Sequence, residues 1–124
     1  MKILLVDDEK ESRACVADFL RDLGHEVVEC ADGYEALTHY HAQEFHLVLS
    51  DVRMPKMNGV TLVQNIREFE DGRNVYIVLF SGNVELETAA EAMRIGANEY
   101  LFKPIGIEDL INITDRAVEY QVCR

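Results

Sequence analysis

The chain has 124 residues, of which 48% are hydrophobic, and this length suits one compact domain with a substantial core. Its 12 basic and 23 acidic residues give a formal net charge of −11, which argues against direct binding to nucleic acid or to an anionic membrane surface. The apolar runs at residues 3–6 and 75–80 are too short to span a bilayer or to form a signal peptide, so we expect neither.

The cysteines indicate the redox environment. Cys15, Cys30 and Cys123 are odd in number and lack CxxC spacing. This pattern favours reduced thiols in a cytoplasmic protein over a disulfide framework. Two of the three lie in apolar patterns that predict a place in the core.

Short apolar runs rich in β-branched residues alternate five times with longer segments of helical period. This alternation predicts parallel β-α units. The predicted strands cover residues 2–6, 26–30, 45–50, 74–80 and 98–102. The first, third and fourth are nearly continuous apolar runs, which is typical of strands covered on both faces.

Five helices are predicted between and after the strands, each from an apolar stripe. Helix 1 ends at Gly24, and helix 2 opens at a possible capping box formed by Asp32 and Glu35. Helix 3 follows Asn58 and Gly59. The predicted stripe of helix 1 consists of Ser12, Cys15, Val16, Phe19, Leu20 and Leu23. That of helix 5 consists of Ile107, Leu110, Ile111, Thr114 and Val118.

Right-handed crossovers arrange such units into an α/β fold: a doubly wound, five-stranded parallel sheet in strand order 2-1-3-4-5 with helices on both faces. In this order, the ligand crevice lies at the carboxyl ends of strands 1 and 3. We therefore expect the functional residues at that edge of the sheet.

Polar side chains follow four neighbouring strands at this edge. They are Asp7 and Asp8 after strand 1, Asp51 after strand 3, Ser81-Gly82 after strand 4 and Lys103-Pro104 after strand 5. Adjacent strands are about 4.8 Å apart, so the carboxylates of strands 1 and 3 crowd one another unless a cation separates them. The donors are all oxygens, which favours Mg²⁺, or Mn²⁺, over zinc. A helix cap is the alternative for one aspartate alone, but it does not explain the set.

Asp51 stands at the centre of this row, where its carboxylate can act as a nucleophile toward phosphorus. Lys103 is placed to meet the incoming oxygens, and Ser81 offers them a hydroxyl donor. The alternatives are a solvated lysine and a simple Ser-Gly turn. Because proline follows Lys103, a cis Lys103-Pro104 bond is a further hypothesis.

With these residues in place, the chain resembles the receiver domain (CheY-like) of two-component response regulators, which has a flavodoxin-like (βα)5 fold. Asp7-Asp8 resembles the family's acidic pair. The segment 51–55, with Gly59, resembles the stretch around its phosphoacceptor, and the segment 100–104 resembles its lysine-proline motif. The likeness covers essentially the whole chain, so we expect residues 1–124 to form a single receiver domain, with no output domain in this chain.

The resemblance implies a signalling switch and not an enzyme: a phosphoacceptor regulator that assists its own phosphorylation and dephosphorylation. A sensor histidine kinase or a histidine phosphotransfer protein would offer phosphohistidine, and Asp51 would take the phosphoryl group. Mg²⁺ would be bound by Asp8, Asp51 and the backbone carbonyl of Arg53, with Asp7 acting partly through water.

The resemblance also implies a conformational change. Ser81 would move toward the phosphoryl group and Tyr100 would turn inward, remodelling the face of helix 4, strand 5 and helix 5 for a downstream effector or a phosphorylation-dependent dimer. Phosphorylation adds about −1.5 to −2 units of charge beside that face. Arg53 and Asn83 occupy positions that tune the dephosphorylation rate in this family. For Tyr100, the alternative is an ordinary half-buried strand aromatic.

Three other functions fit parts of the pattern. A flavodoxin-like cofactor binder shares the architecture, but Asp7, Asp8 and Glu9 would repel the phosphate that its first loop must cradle. An aspartate-nucleophile phosphatase calls for a second aspartate where this chain has Arg53. A receiver-like scaffold that only binds proteins usually lacks part of the acidic cluster or the lysine, and all are present here.

Two histidines lie outside this pattern. His39 and His41 are two residues apart on predicted helix 2, so they point to different sides of it. We therefore expect surface or filling positions for them, with no part in phosphotransfer.

Overall fold

The computed structural model describes residues 1–69, 74–82 and 86–122. In these ranges, strands and helices alternate. The strands are β1 (Lys2–Val6), β2 (Glu26–Cys30), β3 (Leu47–Asp51), β4 (Tyr76–Ser81) and β5 (Glu99–Phe102). The helices are α1 (Lys10–Asp22), α2 (Gly33–Ala42), α3 (Gly59–Arg67), α4 (Leu86–Ile95) and α5 (Ile107–Val122).

All five strands form one parallel sheet in the order β2-β1-β3-β4-β5, which confirms the predicted topology. In its register, Val6 pairs with both Cys30 and Ser50, and Asp51 pairs with Phe80. The carboxyl ends of these strands are therefore nearly level. The residues that follow them consequently lie along one edge of the sheet.

Each face of the sheet buries its own core because successive strand side chains point to opposite faces. In β1, Leu4 and Val6 pack with side chains of α2, α3 and α4. Ile3 and Leu5 pack on the other face with side chains of α1 and α5. The predicted helices on both faces are thus confirmed, and they explain why β1, β3 and β4 are so apolar.

The strand boundaries differ from the sequence-based ones by at most two residues. β1 and β2 agree, whereas β3 and β4 each begin two residues later than predicted. Asp51 and Ser81 are the last residues of β3 and β4. Both side chains therefore start from ordered strand backbone.

Side chains cap the N-termini of α2 and α3. Asp32 Oδ1 accepts a hydrogen bond from Glu35 N, and Asn58 Oδ1 accepts one from Thr61 N, each at 2.9 Å. In a capping box, the Glu35 side chain would accept a hydrogen bond from the backbone N–H of Asp32. Here Glu35 Oε2 accepts instead from the preceding residue, Ala31, at 3.3 Å. These caps satisfy N–H groups that have no partner inside the helix.

Two residues of the apolar stripe predicted for α1 are exposed and not buried. Cys15 is exposed, so its predicted place in the core is wrong, and Leu23 is 42% exposed. Ala17, which was left out of the stripe, is fully buried beside Leu20. Because alanine is short, α1 can lie close to the sheet through Ala17, and this turns Cys15 outward. Cys30 is buried as expected, and Cys123 lies outside the described residues.

A similar correction applies to α5. Ile107, Ile111 and Val118 are exposed, although the sequence placed them in the stripe. Ile113 and Ala117 are buried instead, together with the predicted Leu110 and Thr114. The buried face of α5 is thus rotated from the predicted one, and several large apolar side chains are left at the surface.

Candidate functional site

Three carboxylates meet at the carboxyl edge of β1 and β3. Asp7 and Asp51 are buried, with 2% and 7% of their surface exposed, and Asp8 is exposed. One carboxylate oxygen from each lies within 4.8 Å of those from the other two. The predicted crowding is confirmed. This set of hard oxygen donors, one of them open to solvent, fits a divalent cation such as Mg²⁺.

Backbone contacts hold Asp7 at the end of β1. Its N–H donates to Cys30 O at 3.0 Å, and its Oδ1 accepts from Glu9 N at 2.9 Å. Arg13 Nη1 donates to Asp7 O at 2.8 Å, which links the first turns of α1 to the site. No sequence pattern pointed to Arg13, because it reaches Asp7 only once α1 has turned back over β1.

The pKa of Asp7 is raised above its ordinary value, and burial is the largest cause. The negative charges of Asp51 and Asp8 raise it further, while the hydrogen bond from Glu9 and the charge of Lys103 lower it. A buried carboxylate among carboxylates disfavours its own ionised form. A cation in the pocket would relieve this penalty.

Asp51 accepts hydrogen bonds on both carboxylate oxygens. Lys103 Nζ donates to Oδ2 at 2.7 Å, and Arg53 N donates to Oδ1 at 3.2 Å. The Lys103 ammonium also lies 5.3 Å from the centroid of the Phe80 ring. Lys103 thus pairs with Asp51 and is not the solvated surface lysine of the alternative interpretation. The Lys103-Pro104 peptide bond is cis, as hypothesised.

The pKa of Lys103 is raised above its ordinary value. Burial by itself would lower it, but the hydrogen bond and the charge of Asp51, together with the charges of Asp7 and Glu9, outweigh burial. The lysine therefore stays a cation. The structure thus places a positive charge directly against the Asp51 carboxylate.

Gly59 allows α3 to begin directly beside Asp51. Its N–H donates to Val52 O at 2.8 Å. A Cβ atom at this position would lie 2.5 Å from Asp51 O and 3.0 Å from Leu79 Cδ2. The close approach of α3 to β3 thus requires glycine. This is a physical reason for Gly59, which the family resemblance singled out.

Ser81 ends β4 at the same edge, whereas Tyr100 lies inside β5 and pairs with Leu79. Ser81 is 2% exposed, and its backbone oxygen accepts a hydrogen bond from Lys103 N at 2.7 Å. Tyr100 is half-buried and packs against the core that contains α3 and α4, with its ring 5.5 Å from that of Phe102. In the described part of the chain, its buried hydroxyl has no hydrogen-bond partner. Asn83 lies outside the described residues.

The structure thus brings together the predicted residues at one edge: Asp7, Asp8, Asp51, Ser81 and Lys103. The chain also matches the family model described as the response regulator receiver domain, over residues 3–115. It belongs to that family. No helix in the described ranges of this receiver is long and apolar enough to cross a membrane.

Relatives of this receiver include both short and long proteins. It is 35% identical to chemotaxis protein CheY-3 of Vibrio cholerae, over 96% of this chain and 92% of that protein. It is 34% identical to regulatory protein AtoC of Escherichia coli, over 97% of this chain but only 26% of AtoC. A receiver of this kind therefore occurs both nearly alone and as one part of a larger protein.

Solved structures agree with the fold. The chemotaxis response regulator CheY4 of Vibrio cholerae matches with a TM-score of 0.87 and 34% identity, over 94% of this chain and 97% of that one. A response regulator receiver domain protein from Clostridium thermocellum matches with a TM-score of 0.90 and 28% identity, over 98% and 96%. The flavodoxin-like fold expected from the sequence is therefore confirmed.

Proposed function

We propose that this receiver takes a phosphoryl group on Asp51 from phosphohistidine on a sensor histidine kinase or a histidine phosphotransfer protein. The observation that carries the proposal is the 2.7 Å contact between Lys103 Nζ and Asp51 Oδ2 beside two further carboxylates. A nucleophile, a fixed cation and candidate metal ligands are thus concentrated at one point. The family supports the same chemistry.

Mg²⁺ is the cation that suits this pocket best. Asp7, Asp8 and Asp51 would hold it, together with the backbone carbonyl of Arg53. When bound, the ion supplies positive charge that neutralises the oxygens of the incoming phosphoryl group. Its charge also offsets the cost of keeping the buried carboxylate of Asp7 ionised.

In the transfer step, an oxygen of Asp51 forms a bond to phosphorus while the bond between phosphorus and the donor imidazole breaks. The imidazole leaves with the electron pair of that bond. Because Lys103 donates to Asp51 beforehand, its ammonium must shift from the carboxylate to a phosphoryl oxygen. Ser81, at the end of the next strand, would donate its hydroxyl to the same group.

The phosphoryl group then acts on the neighbouring face of α4, β5 and α5. Ser81 and Tyr100 would serve as its switch residues. The Tyr100 hydroxyl lies buried without a partner among the described residues. A new position for Tyr100 would bring this hydroxyl to other hydrogen-bonding groups. Large apolar side chains are exposed on this face, including Phe102 and Ile111, which supports contact with an effector or a second receiver.

The chain would act on its own Asp51 and on no other substrate, as a regulator that assists its own phosphorylation and dephosphorylation. Residues 1–124 would form one receiver domain, and its output would pass through protein contacts. The net charge of −11 argues against direct contact between this domain and nucleic acid.

The test is phosphorylation by acetyl phosphate with Mg²⁺, read as intact mass. We expect one added phosphoryl group in the unmodified chain and in Asp18→Asn, whose aspartate is exposed on α1. The adduct should be absent from Asp51→Asn and from samples with excess chelator. No adduct on the folded chain, with acetyl phosphate or with sensor kinases, would overturn the proposal and favour the non-phosphorylated scaffold. An adduct that persists in Asp51→Asn would place the acceptor elsewhere.

A further inference from the structure

A second set of metal-ligating side chains lies at the outer edge of the sheet. Cys30 is the last residue of β2, Glu35 lies in the first turn of α2, and His39 lies one turn later. The Cys30 sulfur, a Glu35 carboxylate oxygen and a His39 ring nitrogen lie within 4.8 Å of one another. We propose that these three side chains bind a thiophilic divalent cation, with Zn²⁺ as the preferred ion.

The fold places the three donors together. Glu35 and His39 are four residues apart, so they share one face of α2. The helix begins three residues after Cys30, where Asp32 caps it. Ala36 and Cys30 are buried in the same core, which fixes the rotation of α2 over the strand.

The two histidines of α2 do point to different sides, as the sequence predicted. His41 lies against the Phe69 ring, with the ring centroids 4.3 Å apart. His39, in contrast, lies beside the buried thiol of Cys30. His39 is partly exposed, in keeping with the surface or filling position that the sequence predicted, and the structure adds its thiol and carboxylate neighbours.

The donor types select the metal. A thiolate, an imidazole and a carboxylate together suit Zn²⁺ and related transition ions, whereas Mg²⁺ prefers oxygen donors alone. Zinc bonds of about 2.0–2.3 Å in a tetrahedron place neighbouring ligand atoms about 3.3–3.8 Å apart. Donors within 4.8 Å need only small side-chain adjustments to reach this spacing. Glu35 is exposed, so a water molecule can fill the fourth position from the solvent side.

The surroundings of Cys30 disfavour a free thiolate but favour a cation. The pKa of the thiol is raised to about 12, and burial is the largest cause. The negative charges of Glu35, Asp32 and Glu29 raise it further, while the positive charge of Arg13 lowers it. The thiol therefore carries its proton at neutral pH. Metal binding would form a sulfur-metal bond and release that proton to water, and the three carboxylates would then attract the bound cation.

This site is distinct from the carboxylate pocket around Asp51. The two ligand sets share no residue, and they are linked through the backbone by the hydrogen bond from Asp7 N to Cys30 O. Their donors also differ in softness. Metal binding at Cys30 should therefore persist in Asp51→Asn, the variant that removes the proposed phosphoacceptor, so the two proposals can fail independently.

The test is titration of the purified, reduced Asp51→Asn chain with Co²⁺, followed by optical absorption. A cobalt-thiolate bond produces a charge-transfer band in the near ultraviolet, and tetrahedral coordination produces intense visible bands. We expect both to saturate at one equivalent, and Zn²⁺ should then abolish them by displacing the cobalt. Co²⁺ bound only to carboxylates would give neither signal.

Variants assign the ligands in the same background. Cys30→Ser should remove the charge-transfer band, and His39→Gln and Glu35→Gln should each weaken Co²⁺ and Zn²⁺ binding about tenfold or more. The matched controls are Cys15→Ser, which removes an exposed thiol, and His41→Gln, which removes the other histidine of α2. Both should bind as the parent does.

Three results would overturn the proposal: no charge-transfer band from the folded parent, a band lost in Cys15→Ser, or unchanged affinity in His39→Gln. Far-ultraviolet circular dichroism checks that each variant is folded. If Cys30→Ser does not fold, His39→Gln still decides, because this partly exposed side chain lies on the helix surface.

Discussion

The two buried carboxylates at the strand ends have unequal partners. Asp51 faces the Lys103 ammonium at 2.7 Å, and it also accepts a backbone N–H. The Asp7 carboxylate accepts a hydrogen bond from Glu9 N, and its pKa is raised. Burial and the neighbouring carboxylates raise this pKa by more than the hydrogen bond from Glu9 and the charge of Lys103 lower it, so the ionised carboxylate destabilises the folded state. Asp7 is therefore expected to lower the stability of the metal-free chain.

Replacing Asp7 with asparagine should stabilise the metal-free receiver. We expect the free energy of unfolding to rise by about 0.5–2 kcal/mol at pH 7, measured by urea denaturation with chelator present. The folded pKa of Asp7 lies above its reference value of 3.8, so the folded state binds the proton more tightly than the unfolded state. The contribution of Asp7 to the stability of the parent therefore falls as pH rises through the interval from 3.8 to the raised pKa.

The difference between Asp7→Asn and the parent should accordingly shrink as pH falls through this interval. Asp18→Asn, at an exposed position, should change stability little at any pH. Mg²⁺ should stabilise the parent more than Asp7→Asn, by up to about 2.7 kcal/mol at one hundred times its dissociation constant. A difference that is the same at low and neutral pH would refute the role assigned to the Asp7 charge.

At the scale of elements, the junction between β3 and α3 depends on one close approach. Gly59 N donates to Val52 O. A Cβ atom on Gly59 would lie only 2.5 Å from Asp51 O. Asn58 caps the same helix through Thr61 N. The strand that carries the proposed acceptor is thus joined rigidly to the helix that follows it.

Gly59→Ala should destabilise the receiver by about 2 kcal/mol or more, because the added methyl group must displace backbone. Gly82→Ala is the matched control, since a Cβ at Gly82 would meet no atom of the described residues within 4 Å. It should change the free energy of unfolding by no more than about 0.5 kcal/mol. Urea denaturation of both variants measures the difference. Equal effects would show that the contact at Asp51 O does not constrain α3.

At the scale of the whole molecule, Arg67 ties α3 to the segments before β4 and β5. Its guanidinium donates to Val75 O at 2.9 Å, to Gly96 O at 2.9 Å and to Asn98 Oδ1 at 2.8 Å. Asn98 Oδ1 also accepts from Ile77 N at 2.8 Å. One side chain thus donates to acceptors in two segments, the one before β4 and the one before β5.

Arg67→Met keeps most of the aliphatic stem but leaves these partly buried acceptors without their donor. We expect a loss of about 3 kcal/mol in the free energy of unfolding. Arg94→Met, at an exposed position near the end of α4, should cost no more than about 0.5 kcal/mol. Hydrogen exchange should also quicken at the amide of Ile77, whose acceptor is Asn98. Similar stabilities for the two variants would exclude the bridging role.

The sequence was most informative where structure is local. Alternating apolar runs identified all five strands to within two residues, and Asp32 and Asn58 marked the starts of their helices. The site followed from one geometric rule, that the carboxyl ends of parallel strands share an edge. Asp7, Asp51 and Lys103 could therefore be grouped although they are far apart along the chain.

Tertiary packing decided what depends on how each helix is rotated over the sheet. The spacing of apolar residues defines a stripe, but Ala17 and Ala117 show that short side chains at the closest approach choose the buried face. The links made by Arg67, and the meeting of His39 with Cys30, depend on the same rotations. The sequence by itself determined the elements and the edge that carries the site, because these depend on local periodicity and strand direction. The contacts between elements were decided only by the packed core, because side chains from distant segments must fit together there.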